Sequence, residues 1–155
     1  MLFDPNYEQT LAGLQRHLRG CQAITPKLMR DVMARPCLRS QTYPAATKTK
    51  IDALIETGAW IDTALALLKL ELPQWTLRRL VCDDGEWHCT LSKQPWLPLD
   101  LDDSVEAVHA IPALAILCAM VEARSAGVTT GEVRPKSAPH VRTTPGHIVC
   151  CDNFA

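Results

Sequence analysis

Between Thr76 and Ser92 the apolar and polar positions fall into period two on either side of Asp84-Gly85. That dipeptide is a type I′ turn signal, because both central positions need φ > 0, which Asp tolerates and Gly adopts freely. The turn pairs Asp83 with Glu86, Cys82 with Trp87, Val81 with His88 and Leu80 with Cys89. One face then carries Leu80, Cys82, Trp87 and Cys89, and the other Arg79, Val81, His88 and Thr90. Alternation makes the first the buried face, with Trp87 beside Cys82. A lone hairpin is marginal in water, so flanking helices must cover it.

Elsewhere the period is helical. Asp4-Pro5 reads as an N-cap and first helical residue, followed by the stripe Tyr7, Leu11, Leu14 and Leu18. Thr25-Pro26 opens a second helix with Leu28, Val32 and, less firmly, Met29 inward. Thr49-Lys-Ile-Asp52 reads as a capping box for a helix reaching about Leu72, where Pro73 stops it and Gly58 marks a kink or close contact. Asp103-Ser-Val-Glu106 reads as a second capping box. Its helix runs to about Arg124, bent at Pro112 or divided in two at Ile111. Pro95 and Pro98 punctuate an extended stretch, Gln94 to Leu101, and no period survives beyond Ala126. The fold class expected is α+β, mostly helical, with one central antiparallel β-hairpin packed against helices. Three stretches divide the chain: a loosely packed helical N-terminal segment over 1–46, a helix–hairpin–helix core over 47–125, and a disordered or loosely ordered tail over 126–155.

Composition adds that the core is aliphatic, since 47% of residues are apolar and only 5% aromatic. The net charge of −1 favours no charged partner, but it is unevenly spread: +5 over residues 1–50, −7 over 51–125 and +1 over 126–155. The basic front (Arg16, Arg19, Lys27, Arg30, Arg35, Arg39, Lys48 and Lys50) suits phosphates in type. It forms no tight cluster and has no interleaved aromatic residues, so docking on the acidic neighbour, or plain solvation, is the favoured reading. The start, Met1-Leu-Phe-Asp-Pro, carries no basic and apolar leader pattern. The longest near-apolar run, Ala110 to Val121, is shorter than the about 20 residues a bilayer requires. A soluble, cytoplasmic protein is expected, and its seven cysteines then read as reduced thiols.

Ile55-Glu-Thr-Gly-Ala-Trp60, Glu71-Leu-Pro-Gln-Trp75, Leu77-Arg-Arg-Leu80, Asp83-Asp-Gly-Glu-Trp-His88 and Val121-Glu-Ala-Arg124 together resemble a family of small uncharacterised alphaproteobacterial proteins, over about residues 50–125. The resemblance implies a bacterial cytoplasmic protein with a helix–hairpin–helix unit. It brings no activity, cofactor or catalytic residue.

Candidate chemistry is thin. His88 and Cys89 are adjacent on a strand and point to opposite faces, so they do not form a nucleophile pair. Cys82 and Cys89 lie diagonally, roughly 7 Å apart at Cβ, beyond disulfide reach. His17 and Cys21 share a helix face but make only half a metal site. His140, His147, Cys150 and Cys151 form the densest ligand-type cluster, on a segment that would lose entropy on closing. Asp83, Asp84 and Glu86 read as a solvated hairpin tip. No phosphate-binding, zinc-finger or nucleophile-elbow spacing occurs. No catalytic, cofactor-binding or metal residue is therefore assigned, and the balance leans against an enzyme. The expected function is a small non-catalytic protein-interaction or regulatory protein. Its partner is a second copy or another protein, held by surplus apolar surface on the 50–72 and 103–124 helices, including Leu67, Leu70, Leu114, Leu117 and Val121. Covering of those residues by Leu11, Leu14, Leu18 and Val32 within one chain is the rival. A nucleic-acid-associated regulator using the basic N-terminal helices is the alternative. A thiol or metal-binding protein using the C-terminal His/Cys cluster is weaker still.

Overall fold

The Asp84-Gly85 turn forms, with φ of 48° and 82° at its two central residues, as a type I′ turn demands. A computed structural model of the chain describes residues 5–129. Strands β1 (Thr76–Asp83) and β2 (Glu86–Ser92) pair in the register the turn dictates, including Cys82 opposite Trp87 and Leu80 opposite Cys89. A Cβ at residue 85 would meet nothing within 4 Å, so the turn rests on backbone freedom alone. Gly85→Ala should cost about 1–2 kcal/mol in thermal melts, and Gly85→Asn less, because Asn tolerates the left-handed region.

The sheet has a third strand. Ser104–His109 forms β3, antiparallel to β2, giving the order β1-β2-β3. This corrects the helix expected from Asp103: the cap-like Asp-Ser-Val-Glu outvoted an alternation that is also present, with Ala107 and His109 buried while Glu106 and Val108 are exposed. The helix begins instead at Pro112, whose missing N–H costs nothing at a first helical position.

Five helices are described: α1 (Pro5–Gly20), α2 (Pro26–Met33), α3 (Ala45–Glu56), α4 (Trp60–Glu71) and α5 (Pro112–Thr129). The single helix expected over 49–72 is two. Gly58, at φ 71°, ends α3: its N–H bonds to Ile55 O at 3.1 Å and that of Ala59 to Leu54 O at 3.0 Å, the paired closure of a left-handed C-cap. Thr49 does not cap α3 but lies inside it, its hydroxyl donating to Ala45 O. Thr25 does cap α2, accepting from Leu28 N at 3.1 Å.

Every residue from Ala113 to Val121 is buried, so α5 is apolar on all sides and must be covered on all sides. Strands β2 and β3 lie along one side, α1 along another and α4 along a third. Leu11, Leu14, Leu18, Met29 and Val32 join Leu67, Leu114, Leu117 and Val121 in one hydrophobic cluster. The N-terminal helices are thus integral to the core, not loosely docked. The apolar residues assigned to a partner are, apart from half-buried Leu70, enclosed within one chain. Three basic residues of the front find partners within the chain, at its surface: Arg19 pairs with Glu122 at 2.7 Å, Arg30 pairs with Glu56, and Arg39 reaches the Leu70 and Glu71 carbonyls.

No helix among the described residues is long and apolar enough to cross a membrane. The expected tail from Ala126 is helical as far as Thr129, and the rest lies outside the described residues.

Candidate interaction site

The residues Lys93 to Asp103, between β2 and β3, form a compact closed loop. Its base is tied by Lys93 N–H donating to Asp103 O at 3.2 Å. Pro98 fixes the entry to a short 3-10 turn, Leu99–Leu101, and Leu97 N–H donates to Gln94 O at 2.9 Å. The centre of the loop is Asp102, whose side chain is screened from solvent by its donors. It accepts from Ser92 Oγ, from Gln94 N–H at 2.9 Å and from Arg78 at 2.9 Å. Arg78 is the extra residue where the β1–β2 register shifts between Leu77 and Arg79, so the bulge aims its guanidinium at the loop. Enclosure alone would raise the Asp102 carboxyl, but the Ser92, Gln94 and Arg78 donors outweigh it and hold the group below its ordinary value of 3.8.

A depressed carboxyl adds stability that is complete above its unfolded pKa and fades as pH falls through its folded one. The loop is therefore expected to hold at neutral pH and to loosen only below pH 3.8. Hydrogen exchange at the Gln94 amide checks this: protection should persist to mildly acidic pH, and Asp102→Ala should remove it at every pH.

This secured loop places three large apolar side chains in water. Trp96 is 77% exposed, Leu99 56% and Leu101 66%, and they form half of the exposed large hydrophobic residues described. Asp100 is exposed beside them, and the Asp103 carboxylate is open except for Lys93 Nζ at 3.9 Å. Lys93 itself lies over the Trp75 ring, 5.0 Å from its centroid.

A second polar cluster is buried. Glu71, at the end of α4, accepts from Tyr43 Oη, from Arg124, and from Arg39 N–H at 2.9 and 3.1 Å. Burial, followed by the bond to Glu71, pushes the Tyr43 phenol well above its usual range. With every donor satisfied, the cluster clamps the 34–43 turn to α4 and α5, and a cleft of about 540 Å³ opens beside it towards Trp75 and Lys93. Both clusters escaped the sequence reading, although a lone Glu between Leu70 and Leu72 was a visible signal.

The residues considered for chemistry are scattered. His88 lies on the open sheet face, its Nδ1 3.1 Å from Glu106, while Cys89 is buried behind it and pushed up to about 12 by desolvation. Cys82 is exposed and Trp87 only half-buried, because α5 covers β2 and β3 and not the hairpin tip. Cys21, just past the end of α1, donates its thiol to the His17 backbone carbonyl at 3.2 Å and not to the His17 ring. Among the described cysteines, Cys21, Cys82, Cys89 and Cys118 are free thiols. Among the described residues no three His, Cys, Asp or Glu side chains converge as a metal site, and His140, His147, Cys150 and Cys151 lie outside them. Set against protein families, curated proteins and solved structures, the chain matches none.

Proposed function

We propose that this is a non-catalytic interaction protein that offers the 94–101 loop to a protein partner. The exposure of Trp96, Leu99 and Leu101 on a loop secured through Asp102 carries the reading. Folding gains nothing from leaving such side chains in water, where burying each is worth about 1.5–3 kcal/mol. Trp is a residue that dominates binding when it enters a partner's pocket, and a preorganised loop avoids much of the ordering cost. With Asp100 and Asp103 beside the apolar trio, the fitting partner presents an apolar groove with a basic rim.

Enclosure of the apolar residues of α4 and α5 within the chain supports a partner surface on the loop rather than on those helices. Mutating Trp96, Leu99 and Leu101 together to Ser should leave the melting temperature nearly unchanged, since exposed residues contribute little to folding. The same variant should lose a partner that the wild-type chain retains through purification from its host. Equal retention by both would refute the loop as the contact. A second copy as partner would show as a particle near twice 17.1 kDa that the triple variant halves.

A further inference from the structure

The two edges of the sheet are unlike. The outer edge of β1 is interrupted by the bulge at Arg78 and flanked by Arg79, the usual means of discouraging strand addition. The edge of β3 is regular over Ser104–His109, with no bulge, proline or lysine. The hairpin turn settles which of its backbone groups are open. In a two-residue hairpin Asp83 and Glu86 exchange both hydrogen bonds, so His88, Thr90 and Ser92 bond to β1 while Trp87, Cys89 and Leu91 bond to β3. Their β3 partners are His109, Ala107 and Val105. The N–H and C=O groups of Ser104, Glu106 and Val108 therefore face outward, and they have no partner among the described residues.

Beside this edge runs a groove of about 660 Å³, walled on its far side by Arg19 in the last turn of α1 and by Cys21 and Gln22 just after it. On the open sheet face it is bordered by Glu106, Val108 and Glu86. Arg19 is engaged with Glu122, so the groove presents an acidic rim with one apolar position between its two carboxylates. We propose that the β3 edge receives an extended segment of the partner as a fourth strand. The segment carries basic residues opposite Glu106 and near Glu86, an apolar residue opposite Val108, and small residues on the side facing Cys21 and Gln22. Backbone bonds to Glu106 and Val108 hold it, and alternate side chains select it. This inference rests on the interaction reading and extends it: such a segment, continued past Ser104, runs towards the loop that begins beyond Asp103.

A palindromic probe, acetyl-Thr-Lys-Ser-Val-Ser-Lys-Thr-amide, tests the site in either strand direction when titrated into the full chain. The expected result is saturable binding in which the Glu106 and Val108 amides, fast to exchange in the free protein, become protected while Ala107 was protected throughout. Val108→Pro removes an outward N–H without touching the bonds to β2, and should weaken binding about tenfold or more. Replacing both lysines of the probe by glutamate should do the same, and Glu106→Lys should restore binding of that acidic probe. Absence of saturable binding, or protection that never reaches Glu106 and Val108, overturns the proposal. Probe-induced changes confined to Trp96, Leu99 and Leu101 would overturn the edge site alone and leave the loop reading standing.

Discussion

Glu71→Ala should be among the most damaging single substitutions in this chain, lowering the unfolding free energy by about 3–5 kcal/mol. The side chain is fully enclosed, and its loss strips the acceptor from the buried Tyr43 hydroxyl and from Arg39 N–H. It also removes the carboxylate that compensates Arg124, whose side chain is only 14% exposed. Urea unfolding at neutral pH measures the effect, with the midpoint falling and the slope retained. Replacing the set together, as Glu71→Leu with Tyr43→Phe and Arg124→Met, should recover part of the loss, because the Arg39 N–H is then the one member of the cluster left without its acceptor. A loss below about 1 kcal/mol for Glu71→Ala would mean that the cluster behaves like a solvent-screened surface pair.

Leu14→Ala should cost about 2–5 kcal/mol, the range for emptying a fully buried leucine site. Leu14 lies on α1, sixteen residues that pack along α5, so the cost measures how far the N-terminal helices belong to the core. Ala12→Ser on the exposed side of the same helix should change stability by less than about 0.5 kcal/mol. If Leu14→Ala were equally silent, α1 would be a loosely docked appendage after all.

What could be read in advance divides by the range of the interaction responsible. Asp84-Gly85 fixed turn type and register because both follow from the φ of two adjacent residues. Thr25 as an N-cap is equally local. Sequence and structure part where two local signals compete and tertiary pairing decides. Asp103-Ser-Val-Glu106 satisfies a cap pattern and an alternation at once, and the neighbouring β2 selects the strand. Gly58 permits either a kink or a full stop, and closure onto Leu54 and Ile55 makes it a stop. The apolar circumference of α4 and α5 is legible along the sequence. Whether α1 or another molecule covers it is a question of chain return, on which periodicity is silent.

The candidate site is the least legible part. Gln94 to Leu101 shows two prolines and four large apolar residues, which reads equally as a covered or an uncovered extended stretch. Its exposure depends on Arg78 and Ser92 reaching Asp102, 24 and 10 residues away along the chain. The Arg78 contact in turn depends on a bulge that no turn signal announces. The buried Glu71 cluster draws on Tyr43, Arg39 and Arg124, brought together only by the complete fold.

The claim that the protein works through the 94–101 loop is tested most directly by a photoreactive phenylalanine analogue placed at position 96 of the full chain and irradiated inside host cells. The account predicts one dominant cross-linked protein, absent when the analogue stands at exposed Lys69 and lost when Leu99 and Leu101 are changed to Ser. Cross-links from position 96 no more abundant or selective than those from position 69 would contradict it.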